Sequence, residues 1–125
     1  MRFYNFLNEM TQKQLEDLEK FADRILDKFE IDVEFTKHFL DRVNDNRNDP
    51  EITVSELQKL FKKIKQNKGE KIKSVEDMEA VLRDMQTDLN LPVVVDFVDG
   101  EFEVTHKTIM RKKNFKTSNK VIRYN

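Results

Sequence analysis

His38 and His106 are the only two histidines in a chain of 125 residues that contains no cysteine. His38 lies in HFLDRVNDNR beside Asp41 and Arg42, and His106 opens the last twenty-one residues, THKTIMRKKNFKTSNKVIRYN. That segment carries seven of the 23 basic residues and none of the 24 acidic ones. A formal net charge of −1 therefore conceals a positive end on an otherwise acidic molecule. A cationic end with two titratable imidazoles can hold a polyanion, and it contains the parts for cutting one. Metal-free RNA cleavage needs a base for the 2′-hydroxyl proton, an acid for the leaving 5′ oxygen, and cations around the phosphorane. His38 and His106 are the candidates for acid and base, with Arg42 as the catalytic cation. Lys107, Arg111, Lys112 and Lys113 are candidates for holding the nucleic acid, and Asp41 and Thr108 for supporting it.

Each of these residues also has a plainer reading. On a helix, His38, Asp41 and Arg42 share a face, so His38 and Arg42 can converge on one phosphate while Asp41 orients either. The same spacing describes an ordinary solvated helix face. Strand alternation places His106, Thr108 and Met110 on one side and Lys107, Ile109 and Arg111 on the other. Phe102 and Val104 share the side of His106, which puts the imidazole at the edge of the core. The plain reading there is a half-buried, hydrogen-bonded histidine. In the loop RKKNFKTSNK, Phe115 stands among Arg111, Lys113 and Lys116. An aromatic ring stacking on a base while cations hold phosphate is a mode of single-strand binding; a solvated loop is the alternative.

Other chemistries fit less well. The absence of cysteine removes thiol nucleophiles and thiolate metal sites. The histidines and carboxylates show no recognised metal spacing, and with two glycines there is no glycine-rich phosphate loop, so neither metal nor cofactor is expected. No apolar run approaches the roughly 18 residues of a membrane span.

The elements that would position these residues follow from periodicity. TQKQLEDLEKFADRILDKF repeats apolar residues every three or four positions, an amphipathic helix capped by Thr11. IDVEF alternates as a short strand over 31–35. A second helix is expected over 36–46, and a third from the capping-box spacing of Thr53 and Glu56 to about Gln66. A fourth is expected from Ser74 to about Met85, with Met78, Val81 and Leu82 inward. PVVVDFV, the turn signal Asp99-Gly100 and EFEVTHKTIM read as a hairpin, with NKVIRY as a further strand. The expectation is one α+β domain spanning 1–125, with about four N-terminal helices packed on a small C-terminal antiparallel sheet of three to four strands.

The block FTKHFLDRVNDNR…ITVSELQKLF resembles the His-x-x-x-Arg helix and following helix of RelE/ParE-like and RegB-like metal-free endoribonucleases. His38, Asp41 and Arg42, then Glu56, Leu57 and Phe61, carry the likeness. His106 is not placed by any motif that aligns with a second catalytic histidine. The C-terminal KTIMRKKNF is similar to the ends of small phage proteins that share the HFLDRVNDNR block. MRFYNFLNEM resembles the peptides that target internal proteins to T-even-type phage heads, which are cut after Leu-x-Glu, here Leu7-Asn8-Glu9. Packing beside the first helix is the alternative for residues 1–10. The resemblance implies a phage-encoded metal-free endoribonuclease or toxin-like RNA-binding protein, in the host cytoplasm or the virion. Its partner would be nucleic acid, RNA before DNA, or a host protein. A non-catalytic internal head protein or host-interaction module is the alternative.

Overall fold

The computed structural model describes residues 9–125; the head-targeting resemblance rests on residues 1–9 and falls almost wholly outside them. Helix α1 (Gln12–Leu26) starts at a complete capping box, in which Thr11 Oγ1 accepts from the Gln14 amide and Gln14 Oε1 from the Thr11 amide. It buries Leu15, Leu18, Ala22 and Leu26. A 3₁₀ turn (Asp27–Phe29) leads into strand β1 (Ile31–Phe35). A five-residue helix α2 (Phe39–Val43) follows. Helix α3 (Val54–Gln66) opens on the Thr53/Glu56 capping box and buries Leu57, Leu60, Phe61 and Ile64. After it, Gly69 takes φ +68°, a conformation that favours glycine, and a Cβ there would displace the Ile31 Cδ1 methyl, 2.2 Å away. A single-turn helix α4 (Glu70–Lys73) precedes strands β2 (Met78–Asp84), β3 (Leu89–Val98), β4 (Glu101–His106), β5 (Met110–Arg111) and β6 (Lys120–Tyr124).

The expected α+β class holds, but the expected arrangement does not. The strands form one six-stranded mixed sheet in the order β1-β4-β3-β2-β6, with β5 also on β3. β1, from the N-terminal half, runs parallel to β4, and β6 runs parallel to β2. The helices are therefore not a block ahead of a small antiparallel sheet, because a strand from among them closes one edge. The fourth helix expected over 74–85 is also absent, and its second half is β2. Asp77 sits at φ +58°, which ends helical continuation, and Ala80, Val81 and Leu82 are buried in succession. Three consecutive buried residues fit a central strand covered on both faces better than one stripe of a helix. Met78, expected inward, is 48% exposed.

Register divides the sheet into two faces. Ile31, Val33, Leu82, Leu91, Val93, Val95 and Val104 face the helices and form one core with Leu18, Phe39, Leu57 and Phe61. The hairpin turn between β3 and β4 is Asp99-Gly100, both at positive φ, the conformation that a two-residue turn matching strand twist requires. The outer edge of β1 is covered by side chains. Val33 and Phe35 donate their amides to Asp23 Oδ1 (2.7 Å) and Glu19 Oε2 (3.2 Å) of α1. Four residues of helix rise about 6 Å and two of strand about 6.6 Å, so carboxylates at i and i+4 meet alternate amides.

A cationic groove between α2 and the β4–β5 connection

The groove exists because the β3–β4 ladder stops where it does. Lys107 donates its amide to the Pro92 carbonyl (3.2 Å), but Pro92 has no N–H to return. The Lys107 carbonyl accepts instead from Thr36 Oγ1 (3.1 Å). Thr36 also gives its amide to the His106 carbonyl (3.1 Å), so the entry to α2 is stitched to the end of β4. The chain then leaves the sheet, buries Ile109, and returns to β3 as β5. Asn48, 5% exposed, joins the far side: its amide nitrogen reaches the Arg42 and Val43 carbonyls, and its Oδ1 accepts the Arg111 amide (2.9 Å).

Between these attachments lies an open groove of about 870 Å³. It is lined by His38, Arg42, Asp45 and Arg47 from α2 and the turn after it, and by Lys107, Thr108, Met110, Arg111 and Lys112 from the β4–β5 connection and β5. His38 and Arg42 are exposed, with His38 at the N-cap of α2. Arg47 forms two side-chain bonds to Asp45 and donates its amide to it, and these bonds hold the Asp45 carboxyl down at about 2. Lys107 reaches Glu79 at 3.0 Å, both well exposed, a pair that solvent screens and a ligand can displace. Among the described residues, Arg42 and Lys112 have no ion pair.

His106 is elsewhere. It is 0% exposed and packs against Phe35, Phe39 and Phe61, with ring centroids 5.3, 6.2 and 5.7 Å away. Neither ring nitrogen has a hydrogen-bond partner among the described residues. Burial lowers its pKa to about 3, so the ring is neutral at ordinary pH. It is thus neither at the edge of the core nor hydrogen-bonded, and it does not line the groove with His38. A proton donor to a leaving oxygen must come within hydrogen-bond reach of it, and a ring enclosed by three phenylalanines does not.

Arg111 is likewise committed. Its Nε donates to the Pro50 carbonyl (2.9 Å), Nη1 to Thr87 (2.8 Å), and Nη2 to the Glu51 carbonyl (3.0 Å) and Glu56 Oε1 (2.8 Å). Its side chain is 10% exposed. Burial pushes the Glu56 carboxyl up, but the bonds and charge of Arg111 with the bonds of Thr53 outweigh it, and the net shift is downward. Arg111 therefore fixes the start of α3 against β5 and sets the groove's shape rather than contacting what enters it. Asp41 is exposed but does not line the groove. Lys113, Phe115 and Lys116 lie beyond it on the following loop, where Arg83 holds the Phe115 carbonyl and the Phe115 ring is half-buried. Arg47 and Asn48, absent from the sequence candidates, belong to the site; the run NDNRND signalled a polar turn but not its partners.

Among the described residues no three or more carboxylates and imidazoles are placed to hold a metal ion, and no helix is long and apolar enough to cross a membrane. Compared with protein-family models, curated proteins and solved structures, the chain matches none.

Proposed function

We propose that this protein binds single-stranded nucleic acid, RNA before DNA, in the groove between α2 and the β4–β5 connection, without cutting it. One observation carries this: cations from two separate chain segments, Arg42 and Arg47 beside His38 and Lys107 with Lys112, line one groove whose only carboxylate among the described residues, Asp45, is already occupied by Arg47. Cations lining a groove follow a phosphate backbone, and Met110 offers an apolar surface to a base. The loop carrying Lys113, Phe115 and Lys116 extends the positive surface from the mouth of the groove.

Cleavage is left out because the groove holds one imidazole. His38 with Arg42 can bind and polarise a phosphate, but acid and base must both reach the reacting atoms. The direct test is anisotropy of a labelled RNA oligonucleotide with the protein and with Arg42→Ala/Lys112→Ala. The double variant should bind several-fold more weakly while the RNA is recovered intact. Equal affinity would remove the groove from the function, and cleavage abolished by His38→Ala would restore the enzyme.

A further inference from the structure

A second concave site lies where α1 meets the end of α3, and it shares no lining residue with the groove. Ile25 and Phe29 form its floor where α1 passes α3, and Lys28, Lys62, Lys65 and Lys68 rim a volume of about 460 Å³. Two features separate it from an ordinary lysine-covered helix surface. The rim holds no carboxylate, although acidic residues outnumber basic ones over the chain, and none of its four lysines forms an ion pair among the described residues. One ammonium group is also turned over the apolar floor, and a second over Phe21, four residues before Ile25 on α1. Lys28 Nζ stands 5.2 Å from the Phe29 ring centroid and Lys62 Nζ 6.0 Å from that of Phe21. Aromatic faces attract cations to such positions, so the Lys28 charge stands above the floor and the Lys62 charge at its border.

We infer that this site binds a small amphiphilic anion, an alkyl or aryl group ending in phosphate or carboxylate. The apolar body would lie on Ile25 and Phe29, and the anionic head would meet Lys62 and Lys65 from α3 with Lys28 from the facing turn. The volume falls within the range of small-molecule sites, and a mostly apolar floor with a few convergent charges is their usual composition. The lysines near the end of α3 also offset its dipole, but that role needs no apolar floor between them.

The test is calorimetric titration of the whole protein with decyl phosphate below its micelle concentration, beside decanol at the same concentration. Saturable binding near one equivalent is expected, with decanol at least tenfold weaker. Lys62→Gln/Lys65→Gln, both exposed and replaceable without loss of packing, should weaken decyl phosphate about tenfold by removing two charge-assisted contacts. Arg42→Ala/Lys112→Ala should bind as the unaltered protein does, since it changes only the other groove. No binding, equal binding of decanol, or full affinity in the Lys62/Lys65 variant would each overturn the inference.

Discussion

Replacing His106 with leucine should make the protein more stable, and increasingly so as the solution is acidified. The imidazole is fully buried with both nitrogens unpaired among the described residues, and each desolvated polar atom without a partner carries a cost. Removing that cost should gain about 1–3 kcal/mol at pH 7.5, less whatever strain the leucine introduces. The pH dependence is the sharper signature. The unfolded chain takes up a proton on His106 near its ordinary 6.5, whereas burial holds the folded ring neutral down to about 3. Stability from this residue is therefore fully present above pH 6.5 and lost as the pH falls toward 3, at about 1.4 kcal/mol per pH unit. By pH 5 the unaltered protein should have lost about 2 kcal/mol that His106→Leu does not lose. Urea unfolding of both proteins at pH 7.5 and 5.0 measures the difference, and other titrating groups cancel in it. A stability difference that does not grow between the two pH values would refute the argument, because the folded ring would then be taking up its proton normally.

Arg111→Ala should cost about 2–4 kcal/mol in chemical unfolding, because it removes the charged donor to Glu56 Oε1 and to three carbonyls; a change under 1 kcal/mol would show that water replaces the guanidinium freely. Lys63→Met should cost about 3–5 kcal/mol, since Lys63 Nζ is 2.9 Å from Asp84, whose side chain is 1% exposed, and a buried carboxylate stripped of its cation is expensive even with the Gln86 amide still donating to it; Lys63→Met/Asp84→Leu should recover most of it. Burial and neighbouring Asp32 and Glu19 raise the Asp23 carboxyl to about 6, outweighing the Val33 amide, so its favourable contribution is present below pH 4 and lost as the pH rises through 6. Asp23→Asn, whose amide oxygen can still accept from Val33, should flatten that part of the stability–pH curve. Asp23→Ala should instead lose about 1 kcal/mol and free an edge amide, read as increased self-association by light scattering.

The parts of this fold that were legible in the sequence are those decided within a few residues. Thr11, and Thr53 with Glu56, mark helix starts because capping is a local bond, and Asp99-Gly100 marks its hairpin because the turn itself demands positive φ. The β2 segment MEAVLRD is short and apolar enough for either state, and only its position between β3 and β6 decides. The parallel pairings of β1 with β4 and β6 with β2 join segments separated by many residues and leave no periodic trace. The groove was half legible. Clustered charge singled out Arg42, Lys107 and Lys112, but not that Arg111 would be consumed by carbonyls at 50, 51 and 87. For His106 the warning was present in Phe102 and Val104 on the same strand face. Phe39 and Phe61, which complete its enclosure, come from helices that no local pattern places there.

The salt dependence of RNA affinity tests the central claim most directly. Four groove cations, Arg42, Arg47, Lys107 and Lys112, release counterions when they meet phosphates. Log affinity against log salt should then fall with a slope of about −2 to −3, and Arg42→Ala/Lys112→Ala should flatten it by about 1.4. A flat slope in the unaltered protein, or the same slope in the variant, would contradict the account and mean that RNA does not lie in this groove.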